Sequence, residues 1–142
     1  DIASFLEEAE TSDVVVGNRF FDGDSLAEWN WRRKSLTHFG HRVTKLFLGI
    51  PFDATGAFRA YCLDKIDQKI FDLVDSDSYS FFFESIFVLC RNGKKISEVP
   101  IQLPARTYGS SKMRLSDIIW SIYLILHLSF RPASKSVLPK KL

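Results

Sequence analysis

The sequence predicts an α/β domain, and three observations carry that expectation. Segments with apolar residues at helical spacing alternate with short, apolar, β-branched runs; Gly, Pro and Asp clusters separate them; and neither an internal repeat nor a low-complexity linker divides the chain. At 142 residues, 46% hydrophobic and 25% charged, the composition is that of one domain with a substantial core.

The elements follow in order. Ile2 to Ala9 sets Ile2, Phe5, Leu6 and Ala9 on one helical face opposite Glu7, Glu8 and Glu10, and the "SDVVVGNRF" run after it reads as a buried strand. "FDGDS" is a turn in which Asp24 or Ser25 caps the next helix, with Glu28 placed for a capping box. That helix runs to Leu48, where Gly49 and Pro51 stop it. "DATGAFRAYCL" is strand-like in its Thr, Phe and Tyr content. Asp64 to Val74 carries Ile66, Ile70, Phe71 and Val74 at helical spacing, and Tyr79 to Arg91 forms a further helix closed by Asn92 and Gly93. "KISEVPIQLP" alternates as a strand whose prolines favour a sheet edge, and Ser116 and Asp117 open an aromatic-rich last helix. The domain is expected to span residues 1–130, with 131–142 a loosely held basic tail.

A net charge of +2 demands no polyanionic partner. Basic groups nevertheless concentrate in two blocks, one around Arg32, Arg33 and Lys34 and one from Arg91 onward. These are either two solvated faces or two patches that meet around a phosphate, and the sequence leaves both open. No nucleic acid is expected as a partner, because aromatic residues are not interleaved with the basic blocks as single-strand stacking requires. Cys62 and Cys90 have no Cys or His at metal-ligand spacing and read as reduced core residues. The longest apolar stretch, Ile118 to Phe130, is broken by Ser121, His127 and Ser129 and falls short of the roughly 20 residues that cross a bilayer. Its Trp120, Tyr123, Leu124 and Phe130, with Arg131 just beyond, suit either a membrane interface or ordinary packing against the domain.

Two constellations bear on chemistry. Arg33, Thr37 and His41 are spaced by four, so on a helix a guanidinium, a hydroxyl and an imidazole form one stripe. That stripe suits an anion, the alternative being a polar outer face. "RTYGSSK" places Arg106 and Lys112 around Gly109 and two serines, the composition of a loop that closes over a diphosphate.

The remaining motifs stand in a fixed order: Gly17 with Arg19 and Phe20; Arg32 with Arg33; Asp53 with Thr55, Gly56, Phe58 and Arg59; Phe81 with Glu84; Glu98 to Ile101; and Arg106 with Tyr108, Gly109, Ser111 and Lys112. Over residues 13 to 130 this set resembles the C-terminal half of the family 2 glycosyltransferases that make dolichyl or polyprenyl phosphate mannose. The resemblance implies the C-terminal portion of a GT-A fold, a partial sheet flanked by helices. In that fold a sugar, here mannose, passes with inversion from a nucleotide sugar, GDP-mannose, to a dolichyl or polyprenyl phosphate at the cytosolic face of a membrane. A phosphate acceptor arrives ionised, so a dedicated general base is less necessary than for a sugar hydroxyl.

The resemblance also assigns roles. Arg19 and Arg33, with Thr37, hold the acceptor phosphate; Arg106, Tyr108, Ser111 and Lys112 form the loop that closes on the donor; Asp53, Thr55, Arg59 and Glu84 support them. Either Asp53 or Glu84 has pairing with Arg59 as its alternative, and no residue is singled out as catalytic. The family holds Mg or Mn through a D-x-D motif in its N-terminal half. Those ligands are not expected in this chain, and "DSD" at Asp75 to Asp77 lies too far downstream to be them. The chain is therefore expected to be the acceptor side of a larger enzyme, inactive alone, with a non-catalytic membrane-interface or phosphate-binding module as the alternative. Three positions depart from the family pattern: Thr37 stands for Ser, His41 for Asn, and Phe82 for a polar residue.

Overall fold

The computed structural model describes residues 2–21, 26, 31–102 and 114–139. At its centre β1 (Val14–Asn18) pairs antiparallel with β2 (Arg59–Tyr61), Val14 opposite Tyr61. On its other side β1 pairs in parallel with β3 (Ile96–Pro100), Val14 beside Ile96 and Asn18 beside Pro100. Among the described residues the result is a three-stranded mixed sheet with β3 at an edge, in keeping with its proline.

Successive side chains of a strand point to opposite faces, and β1 uses both. Val15 joins Phe5, Val99 and Ile101 beneath α1 (Ile2–Thr11). Val14 and Val16 enter the larger core with Ile50, Ile70, Phe83, Phe87, Leu124 and Leu128, closed by α2 (Trp31–Leu48), α3 (Ser78–Arg91) and α4 (Leu115–Ser129). The layers are those of an α/β domain, with one helix on one face of the sheet and three on the other. Gly93, at φ +69, lets α3 close: its own N–H reaches the Cys90 carbonyl while Lys94 N–H reaches that of Leu89.

Four expectations need correction. In α1 only Phe5 and half-buried Ala9 turn inward, whereas Ile2 and Leu6 are 71% and 66% exposed. The run at residues 53–63 contracts to the three-residue β2, because the chain before it is held as a loop by bonds from elsewhere. Glu98 accepts from Asp53 N–H, and Arg59 donates to the Ala54 carbonyl. Asp64 to Val74 is not an α-helix but ends in a 3-10 helix, Gln68–Leu73, which Asp67 caps by accepting from Lys69 N–H; the tighter turn delivers Ile70 to the core within six residues.

The fourth correction is the C-terminal segment, which is docked rather than loose over residues 131–139. Asn92 donates to the Ser136 carbonyl at 2.8 Å and accepts from Leu138 N–H at 2.8 Å; Ser136 is fully buried and Leu138 packs on the main core. Asp24, Ser25 and Glu28, read as the start of the second helix, lie outside the described residues, as do residues 140–142. Among the described residues no helix is long and apolar enough to cross a membrane.

Candidate functional site

Parallel pairing brings the carboxyl ends of β1 and β3 side by side, and in open α/β sheets ligands bind in the crevice at that end. Arg19 leaves β1 there. Its Nε donates to Asp53 Oδ2 at 2.7 Å, and its Nη2 donates to Asp53 Oδ1 and to Thr55 Oγ1, each at 2.7 Å. Asp53 is fully buried and Arg19 is 9% exposed, so this two-pronged ion pair is shielded from water. Burial alone opposes ionisation of Asp53, but the hydrogen bonds and charge of Arg19 override it and hold the carboxyl below its ordinary 3.8.

A second carboxylate fixes the frame. Glu98, on β3, accepts at one oxygen from both Asn18 Nδ2 and the Asp53 backbone N–H, each at 2.9 Å, and Asn18 Oδ1 accepts from Phe20 N–H at 2.6 Å. Burial pushes the Glu98 carboxyl above its ordinary 4.5, while those two donors pull the other way. Gly17 permits the close approach of its neighbours: a Cβ there would stand 2.7 Å from Ile101 Cδ1 and 3.1 Å from the Phe58 carbonyl. Asn18 and Glu98 were not among the sequence-predicted site residues. Glu98 stood in a motif, but pairing across 80 residues has no local signature.

On α2 the stripe lies at the margin between the body of the protein and the solvent. Arg33, Thr37 and His41 are half-buried and Thr44 is fully buried, whereas Arg32, Ser35, His38, Arg42 and Lys45 are exposed. His41 stacks on Phe20 with ring centroids 4.3 Å apart, and a Cβ at Gly40 would come to 3.6 Å from Thr55 Cγ2, so α2 lies directly against the Arg19, Asp53 and Thr55 cluster. Burial lowers the His41 pKa from its ordinary 6.5; the Asp53 charge opposes this, and Lys45, Arg19 and His38 reinforce it.

Arg59 pairs with neither Asp53 nor Glu84. It donates to the Ala54 carbonyl at 2.7 Å, to the Phe82 carbonyl and to Ser85 Oγ at 3.3 Å, and lies over the Phe82 ring. It thus ties the Asp53 loop to α3, and burial lowers its pKa. Glu84 belongs to a different cluster. Fully buried, it accepts from Arg131 Nη1 at 2.8 Å, from Ser76 N–H at 2.9 Å, from Ser76 Oγ and from Asp75 N–H at 3.3 Å. Arg131 also reaches Asp75 Oδ2 at 2.9 Å, with its side chain only 8% exposed. The reading of Arg131 as an outward cation beside the aromatic helix is therefore corrected: buried carboxylate draws it inward. Leu124 likewise faces the core, while Trp120, Tyr123 and Phe130 are 58%, 56% and 86% exposed.

Arg106, Tyr108, Ser111 and Lys112 lie outside the described residues. The chain passes toward them from Gln102, just beyond Ile101, whose N–H bonds to the Asn18 carbonyl at the same end of the sheet as Arg19. Among the described residues no group of three or more His, Cys, Asp or Glu side chains is gathered for a metal, and Asp75 is engaged by Arg131. These described residues do not fit a Mg or Mn ion.

The carboxyl end of the strand pair therefore sets a guanidinium on the sheet beside a half-buried polar stripe on α2. Two relatives bear on its meaning. Undecaprenyl-phosphate mannosyltransferase of Micrococcus luteus is 35% identical over 109 residues, 76% of this chain and 45% of its own. Polyprenol monophosphomannose synthase of Mycolicibacterium smegmatis is 29% identical over 121 residues, 84% of this chain and 46% of its own. Both names describe glycosyl transfer involving a polyprenyl phosphate. Over the span it shares with them, this chain belongs to a polyprenyl-phosphate mannosyltransferase-like family. The chain spans about half the length of these relatives. No protein-family model matches it, and no solved structure does.

Proposed function

We propose that this chain is the acceptor-binding side of a GT-A glycosyltransferase that moves mannose from a nucleotide sugar, GDP-mannose, to a polyprenyl phosphate with inversion. The observation that carries this reading is the Arg19 guanidinium held by Asp53 and Thr55 at the carboxyl end of the parallel strand pair, against the Arg33, Thr37 and His41 stripe. A phosphate oxygen of the acceptor forms the new bond to the anomeric carbon. The bond to the nucleoside diphosphate breaks on the opposite face, and its electron pair leaves with the diphosphate. Because the acceptor oxygen is already ionised, the work left to this chain is positioning and charge neutralisation, which Arg19, Arg33 and Thr37 supply.

The donor loop with Arg106, Tyr108, Ser111 and Lys112, and the carboxylates that would hold Mg or Mn, complete the proposed enzyme from outside the described residues. On α4, exposed Leu115, Ile119, Trp120, Tyr123, Leu126 and Phe130 support a peripheral seat on the cytosolic face of a membrane, where a lipid acceptor resides. The test is mannose transfer from GDP-mannose to undecaprenyl phosphate. We expect none from the 142-residue chain alone and metal-dependent transfer from the complete gene product. In that product Arg19→Lys, which cannot reproduce the two-pronged geometry, lowers turnover by about 10-fold or more. An inactive complete product, or one indifferent to Arg19, refutes the proposal and leaves the phosphate-binding module in its place.

A further inference from the structure

Resting on the acceptor-anion reading above, we propose that His41 is a further partner of the acceptor phosphate, taking up a proton as the anion binds and donating a ring N–H to it. Three observations carry this. His41 lies one helical turn beyond Thr37 and two beyond Arg33 on the half-buried stripe of α2, and its ring stacks on Phe20, the residue after Arg19. Its Nδ1 is buried without a hydrogen-bond partner among the described residues, one of five side-chain atoms so placed and, of those five, the one that can take up a proton. The charge of Arg19 is already balanced by Asp53 in a buried, two-pronged pair. With that pair balanced, the net positive charge a phosphate dianion meets comes from α2, where Arg33 stands and a protonated His41 adds to it.

The groups that act on the imidazole are Asp53 from the loop after α2, Arg19 from the end of β1, and Lys45 and His38 from α2 itself. Burial is the largest influence, and three of these four groups are cationic or titratable to a cation, so the environment favours the neutral ring in the free protein. An anion placed among the same groups reverses that balance. Protonation then supplies both the added charge and the N–H for which the free protein has no acceptor. Binding and proton uptake are thereby linked: each unit by which the anion raises the ring's titration midpoint corresponds to about tenfold tighter binding of the protonated form.

The experiment is an NMR pH titration of the imidazole resonances of the 142-residue chain, alone, with sulfate and with inorganic phosphate. It is repeated with a short polyprenyl phosphate in micelles to separate a lipid headgroup from a free anion. Sulfate is included because it stays dianionic throughout, whereas a phosphate monoester titrates itself near ~6. We expect the His41 midpoint to rise on adding either anion. Anion affinity should increase by threefold or more between about pH 7.5 and about pH 5.5. His41→Asn and His41→Gln should each bind sulfate with no pH dependence. If Arg19 and Thr55 resonances move with the anion and the His41 midpoint does not, the acceptor reading stands and this inference is overturned. If no resonance at that end of the sheet moves, both fail.

Discussion

Two guanidinium and carboxylate clusters, Arg19 with Asp53 and Arg131 with Glu84, differ in where the fold places them and in what surrounds them. Around Glu84 every oxygen is spoken for: Arg131, Ser76 and the backbone of Asp75 saturate it, and the product is a C-terminal segment fastened to α3. Around Asp53 the same chemistry holds a guanidinium at the carboxyl end of the parallel strands, beside an imidazole whose Nδ1 has no hydrogen-bond partner among the described residues. The difference shows that a buried ion pair alone does not mark a site. The proposed site adds to its ion pair a place at the carboxyl end of parallel strands and an unpartnered imidazole nitrogen beside it.

The comparison breaks most sharply through stability. Removing one partner of a buried pair strands the other, so Glu84→Ala or Arg131→Ala should cost about 3–5 kcal/mol, read from denaturant midpoints, and leave the anion affinity of the folded protein unchanged. An equal loss of anion binding would merge the two clusters. Asp53→Asn keeps the shape but removes the charge from the Arg19 bonds and should cost about 1.5–3 kcal/mol.

Its pH profile sharpens the point. With its folded pKa below the ordinary 3.8, Asp53 contributes stability that is present above that value and is lost as pH falls through the depressed one; Asp53→Asn should flatten this acid limb. Glu98, raised above 4.5, works with the opposite sign. Its contribution is present below 4.5 and is lost as pH rises through the elevated value, so Glu98→Gln should lessen the decline over that window. Both are read from thermal midpoints against pH.

Smaller again is Gly17→Ala. The new methyl meets a movable Ile101 side chain but also the Phe58 carbonyl, predicting a loss of about 1–3 kcal/mol. Smallest in stability is the exposed row on α4: Trp120→Ser with Tyr123→Ser should stay within ~0.5 kcal/mol per site. The same pair should reduce sedimentation with anionic vesicles, and unaltered sedimentation would remove α4 as the membrane face.

Much of this was legible before any coordinates. Helical spacing located α2, α3 and α4, and the β-branched run located β1, because periodicity and a buried centre strand are local signals. The stripe of Arg33, Thr37 and His41 was visible for the same reason, though which way it faced was not. Arg131 was misplaced because its partner Glu84 lies 47 residues earlier, and nothing local distinguishes a cation bound for a headgroup from one bound for a buried carboxylate. The 3-10 helix at Gln68–Leu73 escaped because apolar spacing alone does not separate a tight turn from an α-helix over six residues.

The central claim is that the Arg19 end of the sheet, and not the Arg131 cluster, receives the phosphate. Mapping arginine Nε–H and backbone amide resonances during titration with inorganic phosphate tests it directly. Saturable shifts at Arg19, Thr55 and Thr37 with Arg131 unmoved are the predicted result; shifts confined to Arg131 and Lys135, or none, would contradict it.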